Sequence, residues 1–164
     1  MPCAAWPEVV ASRALALFRR LGGSTPGRWL YSRLICWQAP YFASIRPTIE
    51  RLEPGACVVR LRQRRAIQNH IGTVHAIALC NAAELAGGLA TDATIPDAMR
   101  WIPKGMTVRY LAKARGVLVA TARVPAIEAG SAREVHALVE VRDAGDVVVF
   151  DADITMWVSP KDPS

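Results

Sequence analysis

Hydrophobic and polar residues change their spacing several times along this chain, and each change marks an element. In residues 5–22, Val10, Ala14, Leu17, Phe18 and Leu21 recur at helical intervals while Arg13 and Arg20 fall off the stripe. Gly22-Gly23 ends that helix. Thr25-Pro26 reads as an N-cap followed by proline at the first helical position. The second helix then runs to about Gln38, before Pro40, with Trp29, Leu30, Leu34 and Trp37 on one side. Two basic amphipathic helices of this kind suit a membrane surface or the flank of the domain that follows. Packing on the domain is the simpler expectation.

From Tyr41 the period shortens. Residues 44–53 predict a first strand, with Pro54-Gly55 as its turn. Cys57, Val59 and Leu61 then alternate with Arg60, Arg62 and Arg64, as in a strand with one wet face. A polar loop follows, Asn69-His70-Ile71-Gly72-Thr73-Val74-His75, and leads into a helix from Ala76 to about Thr91. Between Ala76 and Ala90 its only strongly polar side chains are Asn81 and Glu84. A helix apolar on every side belongs in an interior. Residues 92–104, with Pro96 and Pro103, read as irregular. Four strands complete the series: Met106 to Lys113, Gly116 to Pro125, Arg133 to Arg142, and Val147 to Val158. Ala114-Arg115-Gly116, Ala129-Gly130-Ser131 and Asp143-Ala144-Gly145-Asp146 supply turns between them, and such short links imply antiparallel neighbours. The tail from Ser159 to Ser164 is expected to fray.

This order predicts an α+β domain in which an antiparallel sheet curves around one central helix. Residues 1–39 form a helical extension, 40–158 the domain and 159–164 the tail. One sheet with one helix leaves open edges and an uncovered flank, which a homodimer, or a dimer of dimers, would close.

Composition narrows the partners. The 164 residues are 52% apolar and 21% charged, as in one globular domain. No apolar run reaches the ~18–20 residues of a membrane span, so no integral membrane segment is expected. Glu8 and Arg13 interrupt any secretory pattern. Cys3, Cys36, Cys57 and Cys80 are scattered without a CxxC pair, which argues against a zinc site and for a reducing, cytoplasmic setting. The net charge of +6 comes without a Lys/Arg block interleaved with aromatics, so it does not indicate a nucleic-acid partner.

The chemistry centres on Glu84. A carboxylate enclosed by apolar helix is costly unless it is paired or put to use. The start of its helix, at Ala76, offers free backbone N–H groups that suit a developing oxyanion. Eight residues of helix rise about 12 Å, too far for both ends to serve one site in one chain. Two antiparallel helices across a dimer axis would bring each Glu84 to the other chain's Ala76.

The run Asn69-x-x-Gly72-Thr73-Val74-His75-Ala76, with Glu84 nine residues after His75, resembles the signature of hotdog-fold acyl-CoA thioesterases. It is nearest to the branch that resembles the phenylacetate-pathway enzymes. Pro40-Tyr41-Phe42 and the stretch from Pro103 to Leu111 resemble an uncharacterised hotdog family of the DUF4442 type. The resemblance covers roughly residues 40–158. It implies an acyl-CoA substrate, no cofactor and no metal. It also implies that Ala76 gives its N–H to the thioester carbonyl, that Glu84 attacks the carbonyl or activates water, and that Asn69 and His75 position the loop or the substrate. Gly72 and Gly88 would border the substrate, and Lys104 and Arg109, with Lys113, would meet CoA phosphates. Two departures stand out: the usual glycine after the histidine is Ala76, and a hydroxyl residue that some relatives carry one turn after the acid is Gly88. Each residue also has a plainer reading: Asn69 as a turn residue, His75 as a loop anchor, His70 and His136 as exposed groups, the cations as solvated. Two other functions stay open, an enoyl-CoA hydratase or dehydratase and a non-catalytic acyl-CoA or lipid binder.

Overall fold

The computed structural model describes residues 12–161. Its elements in chain order are α1 (Arg13–Leu21), α2 (Thr25–Gln38), a 3₁₀ helix (Pro40–Ile45), β1 (Thr48–Glu53), β2 (Ala56–Arg62), a short 3₁₀ turn (Arg65–Ile67), α3 (Ala76–Asp92), β3 (Met99–Tyr110), β4 (Val117–Arg123), β5 (Arg133–Asp143) and β6 (Val148–Pro160). The part of the first predicted helix before Ser12 lies outside the described residues.

The strands form one antiparallel sheet in the order β1-β2-β4-β5-β6-β3, and α3 lies against its inner face. The inward residues alternate as the period-two pattern requires: Cys57, Val59 and Leu61 on β2, Val135, Ala137, Val139 and Val141 on β5, Ile154 and Met156 on β6. The helix meets them with small residues. Ala82, Ala83, Ala86 and Ala90 are fully buried. At Gly87 an added Cβ would come within 2.9 Å of Ile154 Cδ1, so glycine here sets how closely helix and sheet approach.

Several boundaries differ from expectation. β3 begins at Met99 and runs through Pro103, so much of the stretch read as irregular is strand. A register shift between Pro103 and Gly105 accommodates the proline, and β3 is an edge strand, where a missing N–H is tolerated. β3 and β4 are not neighbours despite the short link between them. β3 pairs with β6, and residues 111–116 carry the chain back to β4 beside β2. Six extended residues span about 20 Å, enough to pass the intervening strands. Residues 40–45 are 3₁₀ helix instead of the start of β1; Arg46 sits in the left-handed region at φ 47° and Pro47 follows, so extended pairing begins only at Thr48. The strand β6 continues through Ser159 and Pro160.

The helix α2 starts at Thr25, its cap is Ser24, and it packs through the side opposite to its most apolar stripe. Tyr31, Ser32, Ile35 and Cys36 are buried. Tyr31 meets Phe18 of α1 edge-on at 5.0 Å, and Ser32 Oγ accepts the Ile49 N–H at 2.8 Å. That bond occupies part of the outer edge of β1, so among the described elements β3 is the edge left open. Trp29, Leu30, Leu34 and Trp37 face outward.

Candidate active site

The loop before α3 is tied together by Asn69. Its Oδ1 accepts the Ile71 and Thr73 N–H groups at 3.2 and 3.1 Å, and its Nδ2 donates to Thr73 Oγ1 at 2.7 Å. Gly72, at φ 71°, takes the left-handed turn this loop needs. Gln63, which no motif singled out, fixes the loop to the sheet: its Nε2 donates to the Gly72 carbonyl at 2.9 Å and its Oε1 accepts the Gly116 N–H at 2.8 Å. His75 is the N-cap of α3, with Nδ1 accepting the Ile77 N–H at 3.1 Å. In this conformation the Asn69 and His75 side chains thus serve the loop and the helix end. The Ala76 N–H donates to no described residue, and it borders a cavity of about 310 Å³ with Asn69, Leu79, Tyr110 and Lys113.

Glu84 is not enclosed. From Asn81 to Thr91 every residue of α3 is buried except Glu84, which is exposed in the single chain. With half-buried Cys80 and exposed Ile77 it forms a stripe along one side of the helix, so the expectation of a helix covered all round holds only for its second half. Asn81, one turn earlier on a different side, is buried, and its Nδ2 donates to Ser44 Oγ at 2.9 Å.

Glu84 opens into a second cavity, of about 420 Å³, lined mainly by apolar groups. Ile35 and Phe42 from the N-terminal region form one wall, Leu85 and Leu89 the floor, and Trp101 and Pro103 of β3 the other wall. The Trp101 ring lies over Gly88, where an added Cβ would come within 2.9 Å of Cη2, and its Nε1 faces Asp92 Oδ1 at 3.4 Å. Trp101 was hidden by the reading of its segment as irregular; the alternate spacing of Trp101 and Pro103 is the strand signal that could have revealed it. The two cavities divide the predicted residues: Asn69 and Ala76 border one, Glu84 and Gly88 the other.

Lys104 and Arg109 join neither. Lys104 Nζ bonds Glu134 Oε1 at 2.8 Å and sits 4.7 Å over the Trp157 ring. This bond holds the Glu134 carboxyl below the usual range. Arg109 grips Asp151 with two bonds of 2.9 and 2.6 Å, beside a broad cavity of about 620 Å³ on the sheet face away from α3. His136 pairs with Asp153 at 2.7 Å on that same face. No group of metal-ligating side chains occurs among the described residues.

A six-stranded antiparallel sheet wrapped on one central helix is the hotdog fold, and similar solved structures share it. One is a structural-genomics protein, APC5556, 44% identical, with a TM-score of 0.78 over 90% of this chain and 98% of that one. A second is PA5026 of Pseudomonas aeruginosa, described as a probable thioesterase, 27% identical, with a TM-score of 0.73 over 80% and 95%. The thioesterase HI1161 of Haemophilus influenzae, 14% identical, shares the fold with a TM-score of 0.67 over 77% and 87%. No protein of curated function matches the chain. Residues 27–158 match the family model described as "Domain of unknown function (DUF4442)", and the chain belongs to that family. Its fold is that of the thioesterase-like hotdog proteins.

Proposed function

We propose that the chain is an acyl-CoA thioesterase acting as a homodimer. One observation carries the reading: Glu84, the one exposed residue between Asn81 and Thr91, opens its carboxylate into a mainly apolar cavity, bordered also by Asp92 at the helix end, that is large enough for part of an acyl chain. The dimer is supported by the open edge of β3, with Ile102, Tyr110 and Leu111 exposed on or just beyond it, and by the exposed stripe from Ile77 to Glu84. Pairing of two β3 edges would set two α3 helices antiparallel and bring each Glu84 toward the partner's Ala76.

In this mechanism the thioester carbonyl rests at the Ala76 N–H and the acyl chain lies along Gly88 and Trp101. Glu84 takes a proton from water as the oxygen adds to the carbonyl carbon, or adds to that carbon itself. The oxyanion is held by the backbone N–H. Its collapse breaks the carbon–sulfur bond, and the departing CoA thiolate takes up the proton. Attack by Glu84 leaves an anhydride that water opens.

Thiol release from a panel of acyl-CoAs tests this. Glu84→Gln is expected to lower kcat by about 10²–10⁴-fold, the usual worth of a positioned acid–base group. Unchanged turnover would remove the mechanism. Tight acyl-CoA binding without thiol release, in the unaltered protein, would assign a binding function instead.

A further inference from the structure

The second helix presents its most apolar stripe to the outside. Trp29 is 59% exposed, Leu30 43%, Leu34 39% and Trp37 85%, and Tyr41 on the following 3₁₀ helix is 68% exposed. The intervals are helical: Leu30, Leu34, Trp37 and Tyr41 run four, three and four residues apart, and Trp29 stands eight before Trp37. Folding has already used the opposite side of this helix, with Tyr31 and Ile35 in the core. An apolar band of this size with two tryptophans is more than scattered surface hydrophobicity.

Charge identifies what the band meets. Residues 12–49 contain six arginines and no Asp or Glu, a local charge equal to the +6 of the whole chain. At the end of the band, Arg46 stands beside Arg64, whose Nη2 donates to the Ser44 carbonyl and whose Nε is buried without a partner. Burial, with Arg46 adding to it, lowers the Arg64 pKa. Two guanidinium groups are thus held together with no carboxylate bonded to either among the described residues. A protein partner would have to supply both an apolar groove and acidic groups. A bilayer with anionic headgroups supplies both along one plane, with indole rings at the interface and guanidinium groups at the phosphates.

We propose that this face, Trp29 to Tyr41 with Arg46 and Arg64, docks the protein on the surface of an anionic membrane, α2 lying in the plane of the interface. No described helix is long and apolar enough to cross a bilayer, and none needs to. The docking is peripheral and reversible. It leaves α2 between the bilayer and the Glu84 cavity, which Ile35 lines from the buried side of that helix.

Co-sedimentation of the full chain with vesicles of equal parts phosphatidylcholine and phosphatidylglycerol tests the proposal, with phosphatidylcholine vesicles as the neutral arm. The expected result is binding to the anionic vesicles only, weakened by salt, with a blue shift of tryptophan emission. The double variant Trp29→Ser/Trp37→Ser should bind at least about tenfold less, since affinity follows the apolar area inserted. It should still release thiol from a soluble acyl-CoA at the unaltered rate if the protein hydrolyses one. Arg46→Asn, which suits the left-handed backbone and removes one cation, should lower affinity for anionic vesicles severalfold with the fold intact by circular dichroism. No binding to either vesicle overturns the proposal, as does equal binding to both. Dissociation of an oligomer by the double variant with vesicle binding unchanged would also overturn it and assign the face to contact between copies.

Discussion

Gly88→Ala separates two effects that the same glycine could serve, helix stability and room for substrate. Alanine is favoured over glycine inside a helix by about 1 kcal/mol. Against that gain stands the contact with Trp101 Cη2 at 2.9 Å, which must open by a few tenths of an ångström. Trp101 is half-buried on an edge strand and held at its nitrogen only by a 3.4 Å approach to Asp92, so it can yield. Overpacking costs about 1–3 kcal/mol in a rigid core. Near the low end of that range, the net change in stability is close to zero. The cavity, however, loses about one methylene of space. An acyl chain reaching Gly88 then forfeits about 0.8 kcal/mol of burial, a roughly fourfold fall in kcat/KM. Chains too short to reach it lose nothing. Thiol release from acyl-CoAs of increasing length, alongside urea unfolding, checks both halves. A uniform loss across all lengths would refute the placement of the acyl chain beside Gly88 and Trp101. A destabilisation well above 1 kcal/mol would refute the yielding Trp101.

Three other expectations follow from the fold. Thr94 Oγ1 accepts the Gly55 N–H at 2.8 Å in a buried setting, so Thr94→Val leaves that donor unpaired; a loss of about 1–3 kcal/mol is expected in urea unfolding. Burial raises the pKa values of the Cys57 thiol and the Tyr31 hydroxyl above their ordinary 9.0 and 10.0. The unfolded chain therefore loses protons first, and the urea midpoint should hold steady up to about pH 8.5 and fall as the pH climbs further, with a shallower slope in Cys57→Ala. Cys36 and Cys57 are buried whereas Cys80 lies on the stripe with Glu84. Iodoacetamide mapped by peptide mass should thus label Cys80 readily in dilute protein and slowly at concentrations where a dimer forms; equal labelling at both would argue against the stripe as the interface.

The sheet and its central helix were legible because β2, β5 and β6 each alternate cleanly and α3 is apolar nearly all round, and the inward strand residues followed from the alternation. The site loop was legible through its spacing, down to the turn role of Asn69 and the anchoring role of His75 as open alternatives. What failed to show had physical reasons. Pro96 and Pro103 masked the first half of β3, because only an edge position with a bulge makes that proline acceptable. The partner of β3 was hidden because a short link suggests adjacency, and only β6, some forty residues later, satisfies its hydrogen bonds. Glu84 read as enclosed because a sequence cannot say which flank of an apolar helix is left uncovered. The orientation of α2 misled for the opposite reason: burial chose the side with Tyr31 and Ser32, whose hydroxyl takes the Ile49 N–H, over the side with two tryptophans.

The place of β6 also bears on how the chain is made. β6 lies between β5 and β3 and supplies Ile154 beneath Gly87, so of the described strands the one made last joins two parts already synthesised. Until it arrives, β3 has two unpaired edges and part of α3 has no floor. A nascent chain stopped anywhere before Val148 exposes the sticky backbone and apolar helix that chaperones and proteases recognise. The described sheet thus closes on β6. A truncated translation product presents itself for removal instead of lingering as a half-formed domain.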